Sequence, residues 1–355
     1  MRRLISLLAF LPLGLASFAQ PSYYDVGPSK DPRAVFAAIA PYYDFTDANL
    51  KPWHLKVNYQ LEDEKRNPTK QGIFEYWWMS PNVYLSKWTR GDAVHSEWHT
   101  ADGRTLIQST GEPLSVFEYW LRSAFVSPLP SAVDLDPAKS VLVDHSLADS
   151  GAHTRCIMVV PSEVKEHDAR ALPFGIYPEY CVNNKVPLLL GYYSFGTLLT
   201  KFVNFTQIHG RSMPREIYII AETREILSAK VERVETITPA DPALTPPPDA
   251  IAVNPDKAQI SPEDGSALVV KKVAPVAPAD TDSARIAHDQ SKIILQVTIG
   301  TDGGIQDVRL VSAPTPSLAL PAFLAVSQWK FKPSQINGEP VTAETTVEVD
   351  FPAKN

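Results

Sequence analysis

The chain has 355 residues, enough for roughly two or three domains of ordinary size. Hydrophobic residues make up 44% of the sequence and charged residues 21%, which excludes an intrinsically disordered or collagen-like protein. The net charge is −7 and the sequence has no long basic run. Nucleic acid is therefore not expected as a partner, because binding to phosphates requires a basic surface.

Residues 1–19 have the parts of a secretory signal peptide. Two arginines precede an apolar stretch, and Ser17-Phe18-Ala19 supplies small residues just before a cleavage site. We predict cleavage between Ala19 and Gln20 and export to the periplasm. The alternative is an uncleaved segment that anchors the protein in the inner membrane, although the apolar stretch is short for a ~30 Å hydrocarbon core.

The chain contains two cysteines, Cys156 and Cys181. Because disulfides are typical of exported proteins, this pair predicts one disulfide bond, which we expect to tie a loop to the N-terminal sheet. Two unpaired, buried thiols are the alternative. The spacing of the cysteines does not favour a metal or redox site.

A proline-rich segment, residues 237–265, divides the chain. Proline lacks a backbone donor and favours extended conformations, so we predict an extended linker that contains neither a central strand nor a long helix. The linker separates an N-terminal domain, residues 20–236, from a C-terminal domain, residues 266–355. The predicted class is α+β, with a curved antiparallel half-barrel sheet and helices in the first domain and a small αβ unit in the second.

The N-terminal domain is predicted to be mostly β. Apolar and polar residues alternate over 53–61, as in a strand with one buried face, and further strands follow up to residue 236. Helices are predicted over 31–43 and 115–125, each beginning at a residue that can cap a helix. Trp77 and Trp78 are adjacent and point to opposite faces of a strand, so one of them is expected to face a second apolar layer or an interior cavity.

Several stretches of this domain resemble LolA/LolB-type lipoprotein carriers. Three stretches of this chain are similar to the opening strands of these carriers, namely WHLKVNY at 53–59, GIFEYWW at 72–78 and PNVYL at 81–85. Residues 202–217 are similar to a late pair of strands in the same carriers. The resemblance implies a half-barrel fold. It also implies an alternative function, a periplasmic carrier of an apolar or lipid ligand or of a lipoprotein, whereas a filled core would favour an envelope scaffold without a small ligand.

The C-terminal domain has the more specific pattern. The turn residues TDGG at 301–304 separate two alternating strands, Ser317 is predicted to cap a helix, and a last alternating strand ends at Phe351. Three stretches closely resemble the TonB C-terminal domain. They are IGTDG at 299–303, WKFKP at 329–333 and NGEPV at 337–341.

This resemblance implies a domain that binds a short, extended segment of an outer-membrane receptor or of another envelope protein. An exposed edge strand can receive such a segment through main-chain hydrogen bonds. The strand that we predict to be this edge comprises Thr345, Thr346, Val347, Glu348, Val349 and Asp350. The alternative is that the linker covers the edge.

Motifs of common enzymes, including HExxH, GxSxG, the P-loop and GxGxxG, do not occur. His95 and His99 lie ~13 Å apart if they share a strand, too far to bind one metal ion. We therefore predict no catalytic residue, no metal site and no cofactor. The overall prediction is a non-enzymatic, exported TonB-family protein that binds an envelope partner by strand addition and is linked to outer-membrane transport.

Overall fold

The computed structural model describes residues 31–62, 67–145, 154–238, 240–278 and 292–351. The predicted signal peptide and its cleavage site between Ala19 and Gln20 lie outside these ranges. Within them, no helix combines the length and the apolar composition that are needed to cross a bilayer.

Most of the N-terminal region forms one open antiparallel sheet, which has thirteen strands in the described part of the chain. The strands are β1 (Trp53–Glu62), β2 (Pro68–Ser80), β3 (Val83–Arg90), β4 (Ala93–His99), β5 (Thr105–Thr110), β6 (Ser140–His145), β7 (Thr154–Pro161), β8 (Glu179–Asn183), β9 (Leu189–Ser194), β10 (Leu198–Ile208), β11 (Arg211–Ala221), β12 (Arg224–Thr236) and β13 (Ile251–Val253). Their order in the sheet is β13-β5-β4-β3-β2-β1-β12-β11-β10-β9-β8-β7-β6. The predicted α+β class, with a large antiparallel sheet and a small αβ region, is confirmed.

Two helices cover one face of this sheet, which we call the inner face. The helices are α1 (Pro32–Ile39) and α2 (Val116–Val126). Asp31 caps α1, and Ser115 caps α2 in a capping box with Glu118, so both predicted helix starts are confirmed. A short helix, α3 (Glu166–Ala169), lies in the connection between β7 and β8.

The adjacent tryptophans of β2 face two apolar layers. Trp78 belongs to the main core, whereas Trp77 packs with Leu85 and Trp98 in a separate cluster on the outer face of the sheet. Four linker residues pack on this outer cluster, namely Ile237, Ala243, Leu244 and Ala250. The Trp98 indole Nε1–H donates to the Ala243 carbonyl at 2.9 Å. The expected second apolar layer is therefore present, and the linker forms its other side.

The linker adds short strands to the edges of two sheets. Strand β13 pairs with β5 in the large sheet, and β14 (Ala258–Gln259) pairs in parallel with the last strand of the chain. Helix α4 (Pro262–Ala267) follows. Both linker strands are very short and lie at sheet edges, where a chain rich in proline can be accommodated.

The C-terminal region is built on a four-stranded sheet in the order β14-β21-β16-β17. The remaining elements are β15 (Val269–Lys271), β16 (Ile293–Ile299), β17 (Ile305–Ser312), α5 (Ala319–Val326), β18 (Lys330–Phe331), β19 (Ser334–Ile336), β20 (Glu339–Val341) and β21 (Ala343–Val349). The prediction that Ser317 caps the helix is wrong. Ser317 lies within a 3-10 turn, Pro316–Leu318, that leads directly into α5, and neither start has a side-chain cap.

The two cysteines form the predicted disulfide bond. Cys156 and Cys181 lie directly opposite each other on β7 and β8, so the bond joins neighbouring strands. The expectation that it ties a loop to the sheet is wrong. Antiparallel pairing already brings the two Cβ atoms close together, because directly opposed residues have Cβ atoms about 4.5–5.5 Å apart.

Removal of the disulfide is expected to destabilise the N-terminal sheet. The bond closes a loop with a sequence separation of 25, for which the chain-entropy model gives about 3 kcal/mol. We expect the double variant C156S/C181S to lose this amount in urea-induced unfolding under non-reducing conditions. An unchanged midpoint and slope would show that the bond does not restrain the unfolded chain.

Candidate partner-binding edge

The last strand, β21, has one buried face and one face toward solvent. Thr345, Val347 and Val349 are buried, whereas Thr346 and Glu348 point to the opposite, more exposed face. The buried side chains stand over the core of the C-terminal region, and β16 pairs with β21 along its whole length. This alternation fixes the register of the strand, since a shift by one residue would expose the apolar set.

The linker follows the outer edge of this strand and of the residues just before it. The backbone N–H groups of Asn254, Ala258 and Ile260 donate to three carbonyls at 3.0, 3.0 and 2.9 Å. These carbonyls belong to alternate residues, namely Pro340, Thr342 and Glu344. The main-chain N–H and C=O groups of the even-numbered residues therefore point away from β16, toward the outer side of β21.

The linker leaves the edge after Ile260. The carbonyl of Ser261 accepts a hydrogen bond from the Thr345 hydroxyl at 3.2 Å, and helix α4 then passes beneath the strand, with Gly265 against Thr345. By the same two-residue register, the main-chain groups of Thr346 and Glu348 face outward beyond this point. Among the described residues, no strand pairs with this side of them.

The linker strand β14 pairs with Ala343 and Glu344, the two residues just before the predicted edge of Thr345–Asp350. Within the predicted edge, linker residues Ser261 and Gly265 contact Thr345. From Thr346 to Asp350, no strand among the described residues pairs with the outer side of the chain. Because this stretch spans five residues, its length is about 17 Å.

Acidic side chains line the exposed face of this edge. Glu344 accepts hydrogen bonds from Lys257 Nζ at 2.7 Å and from Gln259 Nε2 at 3.2 Å, and the contact with Lys257 lowers the pKa of the Glu344 carboxyl. Glu348 pairs with Lys292, whose pKa is raised by this hydrogen bond.

The C-terminal region packs on the inner-face helix α2 and on the loop between β9 and β10. Phe323 of α5 is fully buried and stacks on Trp120 and on Phe195, with ring centroids 5.4 and 4.4 Å apart. The same ring meets Phe117 edge-on at 5.8 Å. One continuous apolar core therefore runs from the large sheet through α2 into the C-terminal sheet.

A polar contact joins the two regions beside this core. His95 Nε2 lies 3.0 Å from the Tyr119 hydroxyl and 3.3 Å from Asp302 Oδ2, which lies in the turn between β16 and β17. Burial lowers the pKa of the His95 imidazole, although the Asp302 carboxylate opposes this effect. His99 lies elsewhere on β4, where it contacts Glu97, and the described residues contain no cluster suited to a metal ion.

A buried charged cluster fixes the start of α2. Glu118 is fully buried and accepts hydrogen bonds from Arg90 Nη1 and from the Tyr59 hydroxyl, both at 2.6 Å. Burial raises the pKa of Tyr59, and the Glu118 carboxylate raises it further. Burial alone would lower the pKa of Arg90, but Glu118 outweighs this effect and raises it.

Local sequence patterns do not reveal this cluster. The spacing Ser115-x-x-Glu118 before an apolar run is a capping-box signal, and it points to one member. Nothing local in the sequence indicates Arg90 or Tyr59 as partners, because both lie on distant strands. The groups in the cluster satisfy one another and hold α2 on the sheet, which is a structural role.

The outer face of the large sheet carries an open groove of about 680 Å³. Its lining comes from the middle strands and includes Asn58, Gln71, Glu216, Tyr218 and Lys230. None of the side chains that line the groove is among the buried polar groups without a hydrogen-bond partner in the described part of the chain.

Comparison with known proteins agrees with the two resemblances. Residues 281–352 match the family model described as Gram-negative bacterial TonB protein C-terminal, which confirms the prediction for the C-terminal region. No curated protein matches the chain.

Solved structures related to the LolA superfamily are similar to the N-terminal part. A DUF1329 family protein from Desulfovibrio piger is 12% identical, with 60% of this chain and 97% of that chain covered and a TM-score of 0.39. A LolA superfamily protein from Nitrosomonas europaea is also 12% identical, with 59% and 97% covered and a TM-score of 0.37. With TM-scores below 0.5, these two likenesses add nothing to the argument about function.

Proposed function

We propose that this chain is an exported envelope protein whose C-terminal domain receives an extended segment of a partner as an added strand on the outer edge of β21. Its role is linked to transport at the outer membrane, and its site binds rather than catalyses. The observation that carries the proposal is the outward-facing main chain of Thr346 and Glu348, just beyond the point where the linker leaves the edge. The TonB match of residues 281–352 supports an envelope partner, such as an outer-membrane receptor.

The chain's own linker supports this mode of binding. Its N–H groups already use alternate carbonyls of the same edge up to Glu344, so the edge accepts a strand with the geometry that β-augmentation requires. An incoming segment would continue this ladder over Thr345–Asp350. Main-chain hydrogen bonds would supply the affinity, and outward side chains would supply the specificity.

The alternative function, an apolar-ligand carrier, is less favoured by the packing. A ligand on the inner face would have to replace Phe323, which fills the space between α2 and the loop that carries Phe195. The carrier would therefore require the two regions to separate. Strand addition at β21 requires no such separation, because it would use the edge opposite β16, where no described strand pairs beyond Glu344.

Substitution of Thr346 by proline is expected to weaken partner binding about tenfold or more. Proline removes an outward N–H donor and places its ring where the partner strand would pair. The measurement uses short peptides selected from a random library on the immobilised full chain. Their affinities for the parent and for the T346P variant are then compared by fluorescence anisotropy.

The matched control is T346V, which keeps the N–H donor and a β-branched side chain at the same position. It should bind the selected peptides nearly as well as the parent. Circular dichroism should show that T346P remains folded, since proline is tolerated on an outer edge. Equal affinities of folded T346P and the parent would contradict strand addition at this edge.

A further inference from the structure

The side chains of the linker show what chemistry this edge selects. Lys257 and Gln259 are two residues apart and place their donors on the same carboxylate, that of Glu344. The strand that the protein adds to its own edge is thus held by main-chain hydrogen bonds and by donors, one of them cationic, that contact an acidic side chain of the receiving strand. The linker therefore shows, within the same chain, how an added segment binds to this edge.

Two further carboxylates continue the same row along the open part of the edge. Glu348 and Asp350 are both exposed and, like Glu344, occupy even positions. Asp350 directly follows the end of β21, so continued alternation places it on the same face as Glu344 and Glu348. Lys292 contacts Glu348, and Asp350 is close enough to contribute to the raised pKa of this lysine. Two negative charges therefore share one positive charge, and that charge comes from the β16 side of β21, opposite the outer edge.

We infer that the segment received at this edge is basic: an extended stretch with lysine or arginine at alternate positions, which pair with Glu348 and Asp350 as Lys257 pairs with Glu344. This inference rests on the proposed strand addition and specifies the chemistry of the partner. An acidic segment would place like charges beside this row and would be disfavoured.

The expected size of the preference is modest, because the carboxylates are exposed. The side chain of Glu348 is 46% accessible, and ion pairs between exposed groups are screened by solvent and salt. We expect each basic residue to strengthen binding about two- to fivefold. The preference should fade as the ionic strength approaches ~1 M, where the Debye length falls to ~3 Å.

The test uses three synthetic peptides that alternate threonine and valine and differ only at two solvent-facing positions, which carry lysine, glutamine or glutamate. Affinities for the full chain are measured by fluorescence anisotropy at low and high salt. We expect the lysine peptide to bind most tightly and the glutamate peptide least tightly. In the variant E348Q/D350N, the three peptides should bind with nearly equal affinities.

The matched control is D92N, which removes an exposed carboxylate from the turn between β3 and β4 in the large sheet. It has the same type of charge change but lies outside the edge, so the preference for lysine should persist. A preference that E348Q/D350N and D92N retain equally would overturn the inference, because a general attraction to an acidic protein would then explain it.

The variant T346P separates failure of this inference from failure of strand addition. If all three peptides bind equally to the parent and none binds to T346P, strand addition stands and the basic preference is wrong. If the peptides do not bind to the parent, or bind T346P as well as the parent, both proposals fail.

Discussion

Replacement of Glu118 by alanine is expected to destabilise the protein by about 3–5 kcal/mol. The substitution leaves buried Arg90 with only the exposed and more distant carboxylate of Glu112, and it removes the acceptor of the Tyr59 hydroxyl. It also breaks the capping box at the start of α2, in which the Ser115 N–H donates to Glu118 Oε2 at 2.8 Å. Chemical denaturation followed by circular dichroism measures the loss.

The matched control for this prediction is E112A. Glu112 also contacts Arg90, but its side chain is 58% exposed and the N–O distance is 3.5 Å, so the expected loss is below about 1 kcal/mol. Similar losses for E112A and E118A would contradict the view that burial determines the contribution of this cluster.

Replacement of Phe323 by alanine is expected to cost about 3–5 kcal/mol. The ring is fully buried and contacts three aromatic side chains, those of Phe117, Trp120 and Phe195. Its removal leaves a cavity between the large sheet and the C-terminal region. Because one core joins the two regions, the loss should appear in the unfolding of both, as followed by the tryptophan fluorescence of the large sheet and by amide exchange in β16.

A control on the same helix distinguishes packing from helix propensity. Leu324 is only partly buried, so L324A should cost much less than F323A, while alanine suits a helix at both positions. If F323A destabilised only the C-terminal sheet and left the large sheet unchanged, the shared core would contribute nothing to the stability of the N-terminal region.

Local patterns predicted the elements of this fold well. Alternation over 53–61 identifies β1, and the cap residues Asp31 and Ser115 mark the starts of α1 and α2. These predictions succeeded because they depend on residues that are close in sequence, where the periods of strand and helix are directly visible. Ser317 misled for the same reason, because a proline and a serine also favour the 3-10 turn that precedes α5.

The arrangement of the two regions could not be predicted in this way. The stacking of Phe323 on Trp120 and the contact of His95 with Asp302 join residues roughly two hundred positions apart in sequence. The cluster around Glu118 likewise joins residues that are far apart in sequence. No periodicity reports such long-range pairs, because a buried phenylalanine has the same local pattern whichever region it packs against.

The candidate edge could be predicted from the sequence only in part. The alternation of Val347 and Val349 with Thr346 and Glu348 predicted a strand with one exposed face, and the resemblance to the TonB C-terminal domain suggested its role. The sequence left open whether the linker covers the edge. The backbone hydrogen bonds that Asn254, Ala258 and Ile260 donate show where the linker stops covering the edge.

Amide hydrogen exchange of the full chain with and without the lysine peptide tests the central claim most directly. If a partner strand pairs with the outer edge of β21, the amides of Thr346 and Glu348 should become protected on peptide binding, and the protection of the Glu348 amide should be absent in T346P, which lacks the outward N–H donor at position 346. Unchanged exchange at Thr346 and Glu348, together with new protection in the outer groove around Asn58 and Tyr218, would contradict the account and place the binding site on the large sheet.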